Sequence, residues 1–172
     1  AQHYRDARIT TIYEGTTGIQ AADLVGRKLL RDGGDMVNEM INLMRLEAAD
    51  VALSPAEAVQ EVGTAVVNLI DTLASATAAI LESATRNPRS PFHKSFDYLM
   101  LFGIVAGGWQ MARAAAAAQQ QLDSQAGDAD FCESKILSCL YYARQVLPHG
   151  CAHADAIQAP DLPPDALDQW VA

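Results

Sequence analysis

Between Ser54 and Pro91 lies one long stretch whose apolar residues, Val59, Val62, Val66, Leu69, Leu73 and Ile80, recur at near-heptad spacing. That period puts them on one face of an α-helix, and a helix with one long apolar stripe holds only when the stripe is buried against other helices. The same period returns on both sides. Val37, Met40, Ile41, Met44 and Ala48 form one stripe; Tyr98, Phe102, Val105, Trp109 and Ala112 a second; Cys132, Ile136, Cys139, Ala143 and Val146 a third. The pattern predicts an all-α fold, an antiparallel bundle of about four long helices after residue 34. Ahead of it, residues 1–16 read as short and irregular, followed by a helix carrying Ile19, Ala22, Val25 and Leu29.

Turn chemistry separates these stripes. Thr16 or Thr17 suits the cap of the first helix, and Asp32-Gly33-Gly34 ends it. Ser54-Pro55-Ala56-Glu57 reads as a capping box with Pro at the first helical position. Asn87-Pro88-Arg89-Ser90-Pro91 reads as a turn, with Ser90 capping a helix that runs towards Asp123. In that helix Gly103 and Gly107 are spaced to let a neighbour approach closely. Gln125-Ala126-Gly127-Asp128 breaks the pattern, and Pro148 should kink or end the helix that follows. From Ala159 the chain holds Pro160, Pro163 and Pro164 and reads as an extended arm anchored by Trp170. The resulting division is 1–34, 35–158 and 159–172.

Composition removes several function classes. Half of the residues are apolar and 19% are charged, a balance that can bury a core. The formal net charge is −9 and no basic patch offsets it, which excludes a nucleic-acid binder. The tightest basic group, Arg27, Lys28 and Arg31, suits a solvated helix face. Three cysteines without a Cys-x-x-Cys pair make neither a disulfide framework nor a zinc ribbon. His149 and His153 have a zinc-like spacing, but Pro148 and Gly150 weaken the helix and Cys151 points to another face, so no metal site is expected. Asp32-Gly33-Gly34-Asp35 lacks the ligand spacing of a calcium loop. The most apolar run, Tyr98 to Ala118, is interrupted by Gln110 and Arg113, so no membrane span is expected. No signal-peptide pattern is visible, and the opening Ala1-Gln2-His3-Tyr4 without an initiator Met reads as a processed product or a piece of a longer polypeptide.

One stretch has a distinctive arrangement for chemistry. Tyr4-Arg5-Asp6-Ala7-Arg8-Ile9 is followed by Ile12-Tyr13-Glu14-Gly15-Thr16-Thr17-Gly18-Ile19-Gln20. A carboxylate stands directly before a glycine at the mouth of a helix, where a ligand can approach the backbone closely. By residue type alone, Glu-Gly-Thr serves as a helix start as readily as a catalytic base. The larger pattern is more specific. Arg5-Asp6-Ala7, then Ile12-Tyr13-Glu14-Gly15-Thr16 and Ile19-Gln20, resembles the C-terminal signature of the acyl-CoA dehydrogenase superfamily, densely over residues 4–31. Phe96 to Gly103, Lys135-Ile136 and Ala143 to Pro148 resemble, more loosely, the extra C-terminal helical domain of a longer subgroup.

The resemblance implies a set of roles. Glu14 would remove the α-proton of an acyl-CoA thioester while the β-hydrogen leaves as hydride to FAD, giving a trans-2-enoyl-CoA. Gly15 would lie against the substrate, and Thr16, Thr17 and Gly18 would meet the FAD. Many relatives carry a longer polar residue at the position of Gly18, so any side-chain contact there is lost. Electron-transfer flavoprotein would accept the electrons in a dehydrogenase, and oxygen in an oxidase. A cytoplasmic homo-oligomer is also implied. The superfamily's N-terminal helices, β-domain and most flavin-binding residues have no counterpart here, so the chain alone is expected neither to hold FAD nor to oxidise acyl-CoA. Two alternatives stand beside this reading: a non-catalytic helical interaction module, and a fragment of an acyl-CoA oxidase.

Overall fold

The computed structural model describes residues 2–8 and 16–161. Glu14 and Gly15 lie outside the described residues, as do the last two prolines of the arm and Trp170. The described elements are all helical: α1 (Gln2–Ala7), α2 (Thr17–Asp23), α3 (Asp35–Ala52), α4 (Glu57–Arg86), α5 (Ser90–His93), α6 (Ser95–Asp123), α7 (Ala129–Tyr141) and α8 (Leu147–Gln158). Two π-helical segments are inserted, Leu24–Leu29 after α2 and Tyr142–Val146 between α7 and α8. The all-α expectation holds.

Cross-helix pairs establish the topology. Arg45 on α3 reaches Asp71 on α4, while the Val51–Ala52 backbone faces Gly63, so the two helices run in opposite directions. Thr77 meets Tyr98 and Val66 meets Gly108, which sets α4 antiparallel to α6. Along the next pair, Gln121 meets Cys132, Met111 meets Cys139, and Asp97 meets His153, so α6 runs antiparallel to α7 and α8. The four long rods form an up-down-up-down bundle, the fourth being the continuous helical run Ala129 to Gln158. Its core holds the whole predicted α4 stripe from Val59 to Ile80, with Ile41, Met44, Tyr98, Leu101, Val105, Cys139 and Ile157 packed against it.

Several sequence expectations change in the folded chain. Residues 2–7 are helical instead of irregular; Gln2 donates to Asp6 at 2.9 Å and Arg5 to Gln2 at 2.9 Å, pairs that neighbour one another only on a helix. Ser54 does not build a capping box. Its Oγ accepts from the Ala56 amide at 3.3 Å in a local turn, and α4 begins at Glu57 with extended Ala56 before it. Ser90 does not cap a helix either, because its hydroxyl donates to Asp161 at 2.6 Å. The helix expected from Pro91 to Asp123 is broken at Lys94 into short α5 and long α6. Pro148 ends nothing. It sits in the first turn of α8, where an absent amide costs little, and the π segment before it carries the chain through.

The stripes are otherwise shifted at their margins. Ile19 is 69% exposed, and Ala21, Val25 and Leu29 make the buried face of the first helix instead. Met40, Phe102, Trp109 and Val146 lie at the edges of their stripes. The close helix approach uses Gly107, which faces the Tyr142 hydroxyl, and Gly108, which faces Leu147 and Val66; Gly103 faces open space. By length and composition alone α4 and α6 are each long and apolar enough to cross a bilayer, which the polar interruptions at Gln110 and Arg113 do not prevent. In this fold they are the two central helices of the bundle and share its core.

Candidate functional site

The segment expected from the sequence to carry the chemistry enters the fold at the start of α2. Thr16 occupies the N-cap position, and its carbonyl accepts from the Gln20 amide at 2.8 Å. Its hydroxyl makes no capping bond, so the expected side-chain cap is not formed by Thr16. Thr16 and Thr17 are half-buried and Gly18 is exposed. A Cβ at Gly18 would meet no atom within 4 Å, so nothing within this chain requires glycine there. The structure therefore brings Thr16, Thr17 and Gly18 together on the first turn of one helix, directly after Glu14 and Gly15, which lie outside the described residues.

What holds that turn in place is the rest of α2 and the π segment. Ala21, Val25 and Leu29 are fully buried and tie the helix to the bundle. Phe92 of α5 packs over Gly26, where a Cβ would stand 3.1 Å from the ring. The chain then reverses through Gly33 (φ 69°) and Gly34 (φ 92°), left-handed conformations that glycine adopts without strain. Asp32 braces the reversal, accepting from the Gly34 amide at 3.0 Å and the Met36 amide at 3.2 Å.

Beside this helix runs a feature that the sequence reading did not anticipate. A groove of about 690 Å³ lies between the α2–π segment and α3, walled by Leu24, Met36 and Met40 and closed by Phe102 of α6. Arg27, Lys28 and Arg31 rim it, so the basic group read as a solvated helix face borders an apolar trough instead. Arg27 is engaged by Asp23 at 2.7 Å, a pair that holds the Asp23 carboxyl below its usual range. The hidden signal was the coincidence of a basic i, i+1, i+4 group with Met36 and Met40 just past a Gly-Gly reversal.

At the same end of the bundle the chain is anchored after α8, beside the end of α4 and the start of α6. The buried Ser90 hydroxyl donates to Asp161, and the Lys94 ammonium reaches the Ala159 carbonyl at 3.1 Å and Asp161 at 3.3 Å. The histidines weighed as metal ligands are separated in role: His153 pairs with Asp97 at 2.8 Å, while His149 is exposed. Cys132 and Cys139 are buried in the core, and Cys151 is exposed.

Residues 35–167 match the family model described as acetyl-CoA dehydrogenase C-terminal like. The chain belongs to the acyl-CoA dehydrogenase C-terminal family. Among curated proteins it is 39% identical, over 86% of its length, to 3-methylmercaptopropionyl-CoA dehydrogenase of Ruegeria pomeroyi. It is 31% identical, over 98% of its length, to the broad-specificity linear acyl-CoA dehydrogenase FadE5 of Mycobacterium tuberculosis. The matches take up 25% and 28% of those proteins, so the chain spans about a quarter of the length of these relatives. The matched region takes in the four-rod bundle, and α2 with its π segment lies ahead of it.

Proposed function

We propose that Glu14 is the general base of an FAD-dependent acyl-CoA dehydrogenase, and that this chain is the C-terminal part of that enzyme. The observation that carries the reading is Tyr13-Glu14-Gly15-Thr16 directly ahead of α2, with Arg5-Asp6-Ala7 before it, in a chain whose remainder belongs to the family. In the assembled site the Glu14 carboxylate takes the α-proton of an acyl-CoA thioester. A carboxylate is a weak base for so weak an acid. Exclusion of water raises its proton affinity, and hydrogen bonds to the thioester carbonyl, one of them from the Glu14 amide, stabilise the enolate as it develops. Gly15, without a side chain, leaves room for the substrate against the backbone.

Thr16, Thr17 and Gly18 suit one edge of FAD. The Thr16 hydroxyl is not used in capping, and the space around Gly18 is open. Thr16, Thr17 and Gly18 would hold part of the flavin, which would supply the hydride acceptor for the β-hydrogen and so a trans-2-enoyl-CoA product. One helical turn cannot enclose a dinucleotide, so the 172-residue chain by itself is expected to purify without flavin and without activity. Electron-transfer flavoprotein as acceptor, a homo-oligomeric assembly and a cytoplasmic location belong to the same reading. The test is Glu14→Gln in the enzyme that includes the flavin-binding part. Flavin absorbance and fold should be retained while turnover falls by about 10²–10⁴-fold, the usual contribution of a general base. Unchanged turnover would remove Glu14 from the mechanism.

A further inference from the structure

The outer edge of α3 carries Met36 (72% exposed), Met40 (41%), Leu43 (45%) and Leu46 (66%). These residues follow one another at three- and four-residue spacing and cover about three turns of helix. Ile19 on α2 is also exposed, at 69%. A monomeric surface seldom leaves this many large apolar side chains in one stretch. The stripe extends beyond the groove, so a small ligand in the trough would leave Leu43 and Leu46 uncovered. The occupant that fits is a protein surface, one ridge of which enters the trough above Phe102.

Charge narrows the partner. In a chain of net charge −9, the trough is rimmed by three cations and one carboxylate, Asp32, which is taken up by the Gly34 and Met36 amides; of the cations, Lys28 and Arg31 have no ion-pair partner among the described residues. The complementary face is therefore apolar at its centre with carboxylates at its edge. Continuity narrows it again. The trough is bounded by the helix that leads straight out of the base motif, and relatives of this domain carry about three quarters of their length outside the matched region.

We infer that the α2–α3 face is the surface on which the flavin-binding part of the same enzyme docks. The inference rests on the reading under Proposed function that the domain works within a longer dehydrogenase. Docking covers Met36 and Met40, sets carboxylates of the flavin-binding part against Lys28 and Arg31, and fixes α2 so that Thr16 to Gly18 hold their position beside the flavin. The domain is in this sense a brace for the turn that follows the proposed base.

Hydroxyl-radical footprinting of the parent enzyme and of the 172-residue chain tests this directly, because methionine sulfur is a sensitive probe. In the free chain Met36 and Met40 should be oxidised readily, and buried Met44 should be spared. In the parent enzyme most of the labelling at Met36 and Met40 should be lost. Lys28→Glu combined with Arg31→Glu in the parent should restore labelling at both methionines. Equal labelling of Met36 and Met40 in both proteins would overturn the inference, as would protection insensitive to the double charge reversal. Flavin content and turnover of the same parent preparation report separately on Glu14: a loaded, active enzyme with unprotected methionines sinks the docking face alone, and protection without turnover sinks the proposed reaction alone.

Discussion

Gly63 lies where α4 passes the end of α3, and a Cβ placed there would stand 2.6 Å from the Val51 carbonyl carbon and closer still to the Ala52 amide. These are backbone atoms in a helix, so they cannot swing aside as a side-chain tip can. Gly63→Ala should push α3 and α4 apart and cost about 1–3 kcal/mol, the usual scale for overpacking. Gly103 is the matched contrast. It is helical, and a Cβ there meets nothing within 4 Å, so Gly103→Ala should stabilise the chain by about 0.5–1 kcal/mol through lower unfolded-state entropy. Urea titration of both variants reads the two opposite signs; a stabilised Gly63→Ala would mean that the α3–α4 contact is looser than described. Tyr98 gives a second test at this scale. The Thr77 hydroxyl donates to the Leu73 carbonyl at 2.8 Å, so the fully buried Tyr98 hydroxyl must be the donor in its 2.9 Å bond to Thr77. Burial pushes the Tyr98 phenol up to about 12 from an ordinary value of 10.0. Between those pH values the unfolded chain loses this proton and the folded chain keeps it, so stability falls as pH rises. The drop attributable to Tyr98 is about 2–3 kcal/mol. Tyr98→Phe should start about 1 kcal/mol less stable at neutral pH and then lose less between pH 10 and 12. Parallel pH profiles of the two proteins would contradict the buried, protonated assignment.

At the scale of elements, the described residues after α8 are held by Ser90 and Lys94, and the two contributions can be separated. Ser90 is fully buried with its hydroxyl on Asp161, so Asp161→Ala leaves a buried donor without its acceptor and should cost about 1–2 kcal/mol. The Ser90 hydrogen bond, and secondarily Lys94 and Arg86, hold the Asp161 carboxyl below the ordinary 3.8. The anchor is therefore complete above that value and is lost as pH falls through the lower folded value. Acid unfolding followed by circular dichroism should show a shallower loss in Asp161→Ala than in the parent sequence; identical slopes would mean that Asp161 titrates as a free carboxylate.

How well each element could be read in the sequence follows from how it is built. The α4 stripe was readable because its period continues unbroken for 30 residues and its apolar face is buried along the whole length. The first helix was misphased because the π segment Leu24–Leu29 adds a residue to the turn, and Ala21, not Ala22, comes to face the core. A second π segment explains why Pro148 failed as a stop signal. Ser54 and Ser90 carried the right residue type for caps, yet Ser54 closes a local turn onto the Ala56 amide and Ser90 is drawn to Asp161, 71 residues downstream. The candidate site divides in the same way. The run from Thr16 to Gly18 was readable as a motif, whereas the apolar trough was not, because Phe102 reaches it from a helix about seventy residues downstream of α2.

On the scale of the whole molecule, the pattern of the sequence divides at residue 34, and the family match begins at Asp35. The core runs across that position. Val25 and Leu29 are fully buried in the same cluster as Ile41, Leu73 and Tyr98, Phe92 packs on Gly26, and the side chain of Leu81 packs against Gly34. A shortened chain beginning at Asp35 would therefore lose more than an appendage. Burying a valine or leucine side chain contributes about 1.5–3 kcal/mol, partly offset by the entropy of ordering the segment. The net loss should be about 2–4 kcal/mol, with the side of α3 and α6 that faces α2 newly exposed to water. With a urea slope of about 1–3 kcal/mol/M for a protein of this size, the midpoint should fall by roughly 1–2 M. The slope itself should shrink slightly, because less surface is buried in the native state. If the midpoint does not move, the α2–π segment merely rests on the bundle. If it falls as expected, the turn that follows Glu14 is mechanically part of the bundle. A displacement of the bundle would then be transmitted to the turn at Thr16 and so to Glu14, the proposed base.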